Sequence, residues 1–104
     1  METPFIIING EKIIPAAPKM KVWREFLKAA DKNREDESMD DFLSDQVRLI
    51  IIAFGKPDVV NEKSIDEYVE ISDIVPMVRR LFTWIQTVTF EKLVQVPNGE
   101  AEKD

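Results

Sequence analysis

The sequence predicts a mainly α domain, α+β in its broader class, with an N-terminal β-hairpin followed by three to four helices around a single core. Two short β-branched runs flank Asn9-Gly10, and the longer segments downstream place apolar residues at helical spacing. The chain has 104 residues, 44% apolar and 33% charged. That supports one domain of ordinary size and is too short for a two-domain enzyme with a cleft between its halves. The expected domain covers residues 1–97, and a flexible acidic tail follows over 98–104, after Pro97-Asn98-Gly99.

The hairpin is expected over about residues 4–15. Phe5 to Ile8 and Ile13-Ile14 stand on either side of Asn9-Gly10. A type I′ turn needs positive φ at both central residues, which Asn and Gly tolerate best. Pro15 ends the second strand. A helix follows over about 18–31, with Pro18 suited to a first turn. Val22, Trp23, Phe26, Leu27 and Ala30 form its apolar stripe, and Lys21, Arg24, Glu25 and Lys28 occupy the other side.

The second helix, about 38–54, opens on Ser38 with Asp41 three residues later, a capping box with Asp in place of Glu. Phe42, Leu43, Val47, Ile50, Ile51 and Phe54 follow, Gly55 suits a C-terminal cap, and Pro57 prevents resumption. The run Leu49 to Phe54 is apolar all round, so this helix should sit centrally. A buried strand over Val47 to Phe54 is the competing reading, because β-branched residues favour strands. Ser38, Gly55 and the spacing of Leu43, Val47, Ile50 and Phe54 favour the helix. Ser64-Ile65-Asp66-Glu67 reads as another capping box and opens a short helix, about 64–71. The last helix, about 73–90, starts at Ser72 or Asp73 with Pro76 in its first turn. Ile74, Met77, Val78, Leu81, Phe82, Ile85 and Val88 give it the cleanest periodicity in the chain. Phe90, Leu93, Val94 and Val96 continue it as a helical turn or an extended arm.

Lys and Arg total 14 against 20 Asp and Glu, a net charge of -6 that a nucleic-acid backbone would repel. The N-terminus lacks the basic region of a secretory signal. The longest apolar run, Leu49 to Phe54, falls far short of the roughly 20 residues of a membrane span. A soluble, cytosolic protein without nucleic-acid or membrane partners is expected. Lys12 to Lys28 holds five basic residues against Glu25, whereas Asp31 to Asp45 holds seven acids and Asp58 to Asp73 six. Solvated faces are the plain reading. Head-to-tail self-association between basic and acidic segments is the sharper one, and salt would screen it.

The chain has no His and no Cys, which removes the usual general base, the commonest metal ligand and the thiolate nucleophile. Asp31, Asn33, Glu35 and Glu37 alternate somewhat like a calcium loop. Asp36 then stands where Gly is needed and Phe42 where a bidentate Glu belongs, so a polar connector is the better reading. Asp66 and Glu70 are expected one turn apart on a helix face, a common surface spacing. The glycines stand singly, so there is no phosphate loop. No catalytic residue, metal, cofactor or small-molecule substrate is expected. The candidate site is instead a partner-binding face made of Met77, Leu81, Trp84, Ile85 and Val88. Trp84 lies beside the main stripe and would widen it into an exposed apolar surface. Filling of the core is the alternative for each of these residues.

The order of elements, hairpin with Asn9-Gly10, aromatic helix around Trp23 to Leu27, acid-rich linker and apolar second helix, is followed by SIDEYVEISDIVPMVRRLFTWIQTV. Over about residues 5–90 this pattern resembles the tail assembly chaperones of long-tailed bacteriophages and prophages of Gram-positive bacteria. The resemblance implies a small, helical, acidic protein of the infected host's cytoplasm. It would associate with the tape-measure protein, help recruit tail-tube subunits, and be absent from the finished virion. In many members of that family a frameshift yields a longer form, and this sequence would be the shorter one. The family brings no catalytic residues to carry over. Two other functions stay open: an acidic decoy that occupies a nucleic-acid-binding host protein, and a structural head–tail connector component.

Overall fold

The computed structural model describes residues 2–95, with side chains through Glu91. The strands β1 (Ile6–Ile8) and β2 (Glu11–Ile13) form an antiparallel hairpin, followed by helices α1 (Met20–Asp31), α2 (Met39–Phe54), α3 (Glu62–Tyr68) and α4 (Ile71–Gln95). The mainly α fold with a small hairpin is therefore as the sequence predicts.

Asn9 (φ 52°) and Gly10 (φ 79°) both adopt the left-handed region that a type I′ turn demands. The register pairs Ile6 with Ile13, Ile7 with Lys12 and Ile8 with Glu11. Ile6 and Ile8 point into the core, and Phe5 and Ile7 face outward and are exposed. The strands are shorter than the expected 4–15, and Ile14 lies beyond β2 and is exposed. The chain leaving the hairpin is tied to α2, where the Ala16 N–H donates to the Phe54 carbonyl (3.0 Å). That bond satisfies one of the carbonyls freed at a helix end.

Helix α1 starts at Met20, so Pro18 precedes it and is not in its first turn; Lys19 is the N-cap and gives no side-chain bond. The inward face is Val22, Phe26 and Ala29, with Trp23 half-buried; Leu27 and Ala30 are exposed, a small rotation from the expected stripe. Phe82 of α4 fixes the rotation by packing on Phe26 (5.6 Å between centroids) and Trp23 (6.0 Å).

Helix α2 is central and touches α1, α3 and α4. The Ser38 hydroxyl accepts the Asp41 N–H at 3.0 Å, and Gly55 ends the helix at φ 62°, its N–H on the Ile51 carbonyl. Leu49, Ile50, Ala53 and Phe54 are buried in its apolar end, so the helix reading holds over the strand.

Two boundaries differ. Helix α3 begins at Glu62, capped by Asn61, and Ser64 is its third residue. The Asn61 side chain accepts the Ser64 N–H (2.9 Å), and the Asn61 N–H donates to the Ser64 hydroxyl (3.0 Å). The box is real but shifted three residues upstream, because Asn caps as well as Ser and finds a reciprocating hydroxyl. Glu70 falls outside α3, which ends at Tyr68, so Asp66 and Glu70 do not share a helix face. Helix α4 has 25 residues, opening at Ile71 and running to Gln95, so Phe90, Leu93 and Val94 are helical. Pro76 sits one turn deeper than expected, and its missing N–H leaves the Ser72 carbonyl without its usual intrahelical donor. Val96, Pro97-Asn98-Gly99 and the expected tail over 98–104 lie outside the described residues.

Candidate functional site

The expected partner-facing residues belong to the interior. Met77, Leu81, Trp84 and Ile85 are all buried, Leu81 completely, and Val88 is half-buried against the same core. Trp84 completes the inward stripe of α4 and does not widen it outward. The periodicity marked the right face of α4, and helix α2 covers that face. In this fold these side chains fill the core, the alternative that the sequence left open.

The exposed apolar surface lies elsewhere, around the short turn between α3 and α4. A groove of about 390 Å³ runs between the segment Glu2–Ile7 and the wall formed by Tyr68, Val69, Asp73, Met77 and Arg80. A second, of about 260 Å³, lies between α2 and the same turn, with Leu43, Val47, Ile65, Ile71 and Ile74 on its floor. Val69 lines both. Phe5, Ile7, Tyr68 and Ile71 are exposed along this band, Ile71 at 73%.

Local sequence explains the band. β1 is apolar on both faces, whereas a two-stranded sheet with one solvated face normally alternates. α3 has seven residues, too few to bury more than Ile65, so Tyr68 remains outside. Sequence reasoning passed over this surface because its exposed residues, Phe5, Ile7, Tyr68 and Ile71, fall in no long periodic stripe. The continuous run Phe5 to Ile8 was the available signal, since an unbroken apolar run marks a strand covered on both sides.

The rim is acidic. Asp40, Glu62 and Asp66 line the second groove with no basic residue among its lining, and Glu2 and Asp73 line the first beside Arg80. None of these five carboxylates enters an ion pair among the described residues. The surface is therefore apolar at its centre and negative at its edge, which can hold apolar and basic side chains of a protein partner.

The other acidic segment behaves differently. Arg34 donates to Glu37 (2.7 Å), Asp45 (3.1 Å) and the Ala29 carbonyl (3.1 Å). Arg48 donates to Asp45 (3.0 Å) and Glu25 (2.8 Å), and Lys32 reaches Glu37 at 2.9 Å. The Arg34 guanidinium also lies over the Phe42 ring, 5.1 Å from its centroid. Hydrogen bonds from Arg48 hold the Glu25 carboxyl below its ordinary range, and those from Arg34 and Lys32 do the same for Glu37. Burial works to raise Asp45, but bonds from Arg34 and Arg48 outweigh it, so that carboxyl is also lowered. Glu37, one of the residues spaced like calcium ligands, is thus engaged by two cations. Among the described residues no group of three or more Asp and Glu side chains is placed to hold a metal ion, and no helix is long and apolar enough to cross a membrane.

Comparison with protein-family models, with curated proteins and with solved structures gave no match.

Proposed function

We propose that this protein is a tail assembly chaperone of a long-tailed phage or prophage. It acts by binding the tape-measure protein and tail-tube subunits before the tube polymerises, without catalysis or a cofactor. It works in the cytoplasm of the bacterial host and is left out of the mature virion. The observation that carries this reading is the exposed apolar band at the α3–α4 turn with its unpaired acidic rim. A chaperone of this kind must cover a partner's unassembled apolar surface and keep the pair soluble by charge. The resemblance of residues 5–90 to the tail assembly chaperones supplies the identity of the partners.

The test is co-expression with the tape-measure and tail-tube proteins encoded beside its gene. Co-purification that weakens as salt rises is expected. A monomer that ignores both proteins at low salt overturns the reading, as does turnover of a metabolite by the purified protein. Mass spectrometry of purified particles separates the connector alternative, since a connector is present in them and a chaperone is not. Strong salt-sensitive binding to a host nuclease or regulator would favour the decoy reading instead.

A further inference from the structure

We infer that the outward face of α1 in one copy of this chain docks into the groove between α2 and the α3–α4 turn of a second copy. The contact lays Met20 and Leu27 on the apolar floor and sets Lys21, Arg24 and Lys28 against the acidic rim. The inference goes beyond the proposed chaperone function and does not rest on it, since both faces belong to this chain.

The groove defines what it takes. Its charged lining residues are Asp40, Glu62 and Asp66, with no Lys or Arg among them. All three are exposed, and none enters an ion pair among the described residues. Lys63 follows Glu62 on α3 but does not line the groove. Asp40 stands in the first turn of α2, and Glu62 and Asp66 stand one turn apart on α3. Carboxylates thus stand on both helices that bound the apolar floor. Ile71, on that floor, is 73% exposed.

Helix α1 offers the complement. Val22, Phe26 and Ala29 are its buried side. At about 3.6 residues per turn, Met20, Arg24 and Leu27 fall on one line along the opposite side, with Lys21 and Lys28 beside it. Met20 and Leu27 are exposed there, apolar side chains on the face where a surface helix normally carries polar ones. Lys21 and Arg24 enter no ion pair among the described residues, and Lys28 makes one long contact, 3.4 Å to Glu25. The acids of α1 do not cancel these cations. Glu25 is held by Arg48 of α2, and Asp31 stands at the last position of the helix.

Charge selects the pairing. Two α1 faces brought together set cations against cations, and two grooves set carboxylates against carboxylates. The face of α1 in the groove brings opposite charges together around an apolar contact. The net charge of -6 opposes association at long range. At about 0.1 M salt that repulsion is screened beyond about 10 Å, whereas the apposed pairs lie closer than that.

The test is sedimentation velocity of the purified full-length protein over a range of concentrations. The mean mass should rise with concentration at about 0.1 M salt and fall back towards the monomer at about 0.5 M. Arg24→Glu reverses the charge on α1, and Asp66→Lys reverses it in the groove. Each should raise the dissociation constant of self-association at least tenfold. Both positions are exposed, and a Lys in the last turn of α3 suits the helix dipole, so both variants should melt like the parent. Mixed in equal amounts, the two variants should associate within about threefold of the parent, because one retains the groove and the other retains α1. Arg24→Gln and Asp66→Asn, each expected to weaken association several-fold, give the reading where a reversal disturbs folding. A parent that stays monomeric up to about 1 mM overturns the inference. So does association that the variants leave unchanged, or that mixing them does not recover. If the parent stays monomeric and Asp66→Lys instead loses a captured tail protein, the groove belongs to a different protein and the contact fails while the chaperone reading stands. If the chain self-associates as expected and neither tail protein co-purifies, the contact stands and the tail assignment fails.

Discussion

Arg34 ties three segments together: the last turn of α1 through the Ala29 carbonyl, the connector through Glu37, and α2 through Asp45. It is largely enclosed, so its hydrogen bonds are screened less than those of a free surface pair. Arg34→Met should cost about 1–3 kcal/mol of unfolding free energy, measured by urea titration. The network also sets the acid limit of the fold. Glu25, Glu37 and Asp45 are held below the ordinary carboxylate range when folded. Between the folded and unfolded values the unfolded chain binds more protons, so these groups stabilise the fold fully above roughly pH 5. That contribution is lost as pH falls through the depressed folded values. With no His or Cys, no side chain of the kind that titrates near neutrality is present. The thermal midpoint should therefore be level from about pH 6 to 8 and fall below about pH 4. Arg34→Met should make that fall shallower. A melting curve series across pH with an equally steep fall in the variant would remove the network from the explanation.

At the scale of elements, the N-terminus of α3 and the inward stripe of α4 carry the most specific expectations. A seven-residue helix cannot hold itself in water, so the Asn61–Ser64 box and the burial of Ile65 hold it. Asn61→Ala and Ser64→Ala should each cost about 1 kcal/mol. Because the two residues share one box, the double variant should cost less than the sum, which a double-mutant cycle of chemical denaturations reads directly. Trp84→Ala should cost about 3–5 kcal/mol, since the side chain is buried in the core. In a domain of this size that lowers the melting temperature by more than about 10 °C. A Trp84→Ala protein that melts like the parent but no longer binds a partner would restore the surface role that the periodicity first pointed to. The boundaries of both helices were only partly legible in the sequence. Ser64 announced a box, yet a hydroxyl can serve as the cap or as its reciprocating third residue, and the sequence alone does not say which.

Taken as a whole, the molecule spends its long apolar stripes on one core and leaves apolar surface where the elements are too short to bury it. Ile71 marks the difference, being 73% exposed at the first position of α4. Ile71→Lys should leave stability within about 0.5 kcal/mol, as is usual for surface changes. The same substitution should weaken partner capture in a pull-down at fixed salt. A variant that binds as well as the parent would remove the α3–α4 turn from the interface. Charge divides in the same way. Glu37 and Asp45 are paired from within by Arg34, Arg48 and Lys32, and the acids from Asp58 to Asp73 have no ion-pair partner among the described residues.

Hairpin, helices and their order were readable from residues alone, because turn chemistry, caps and apolar period act within a few positions of one another. Asn9-Gly10, Ser38 and Gly55 each state a local backbone requirement that no distant contact altered. Which apolar face meets solvent was not readable. A stripe such as Met77 to Val88 has the same pattern whether a neighbouring helix or another protein covers it, and packing of α2 against α4 settled that it lies inside. The exposed band likewise exists only because residues far apart in sequence, from Glu2 to Arg80, are brought to one groove by folding.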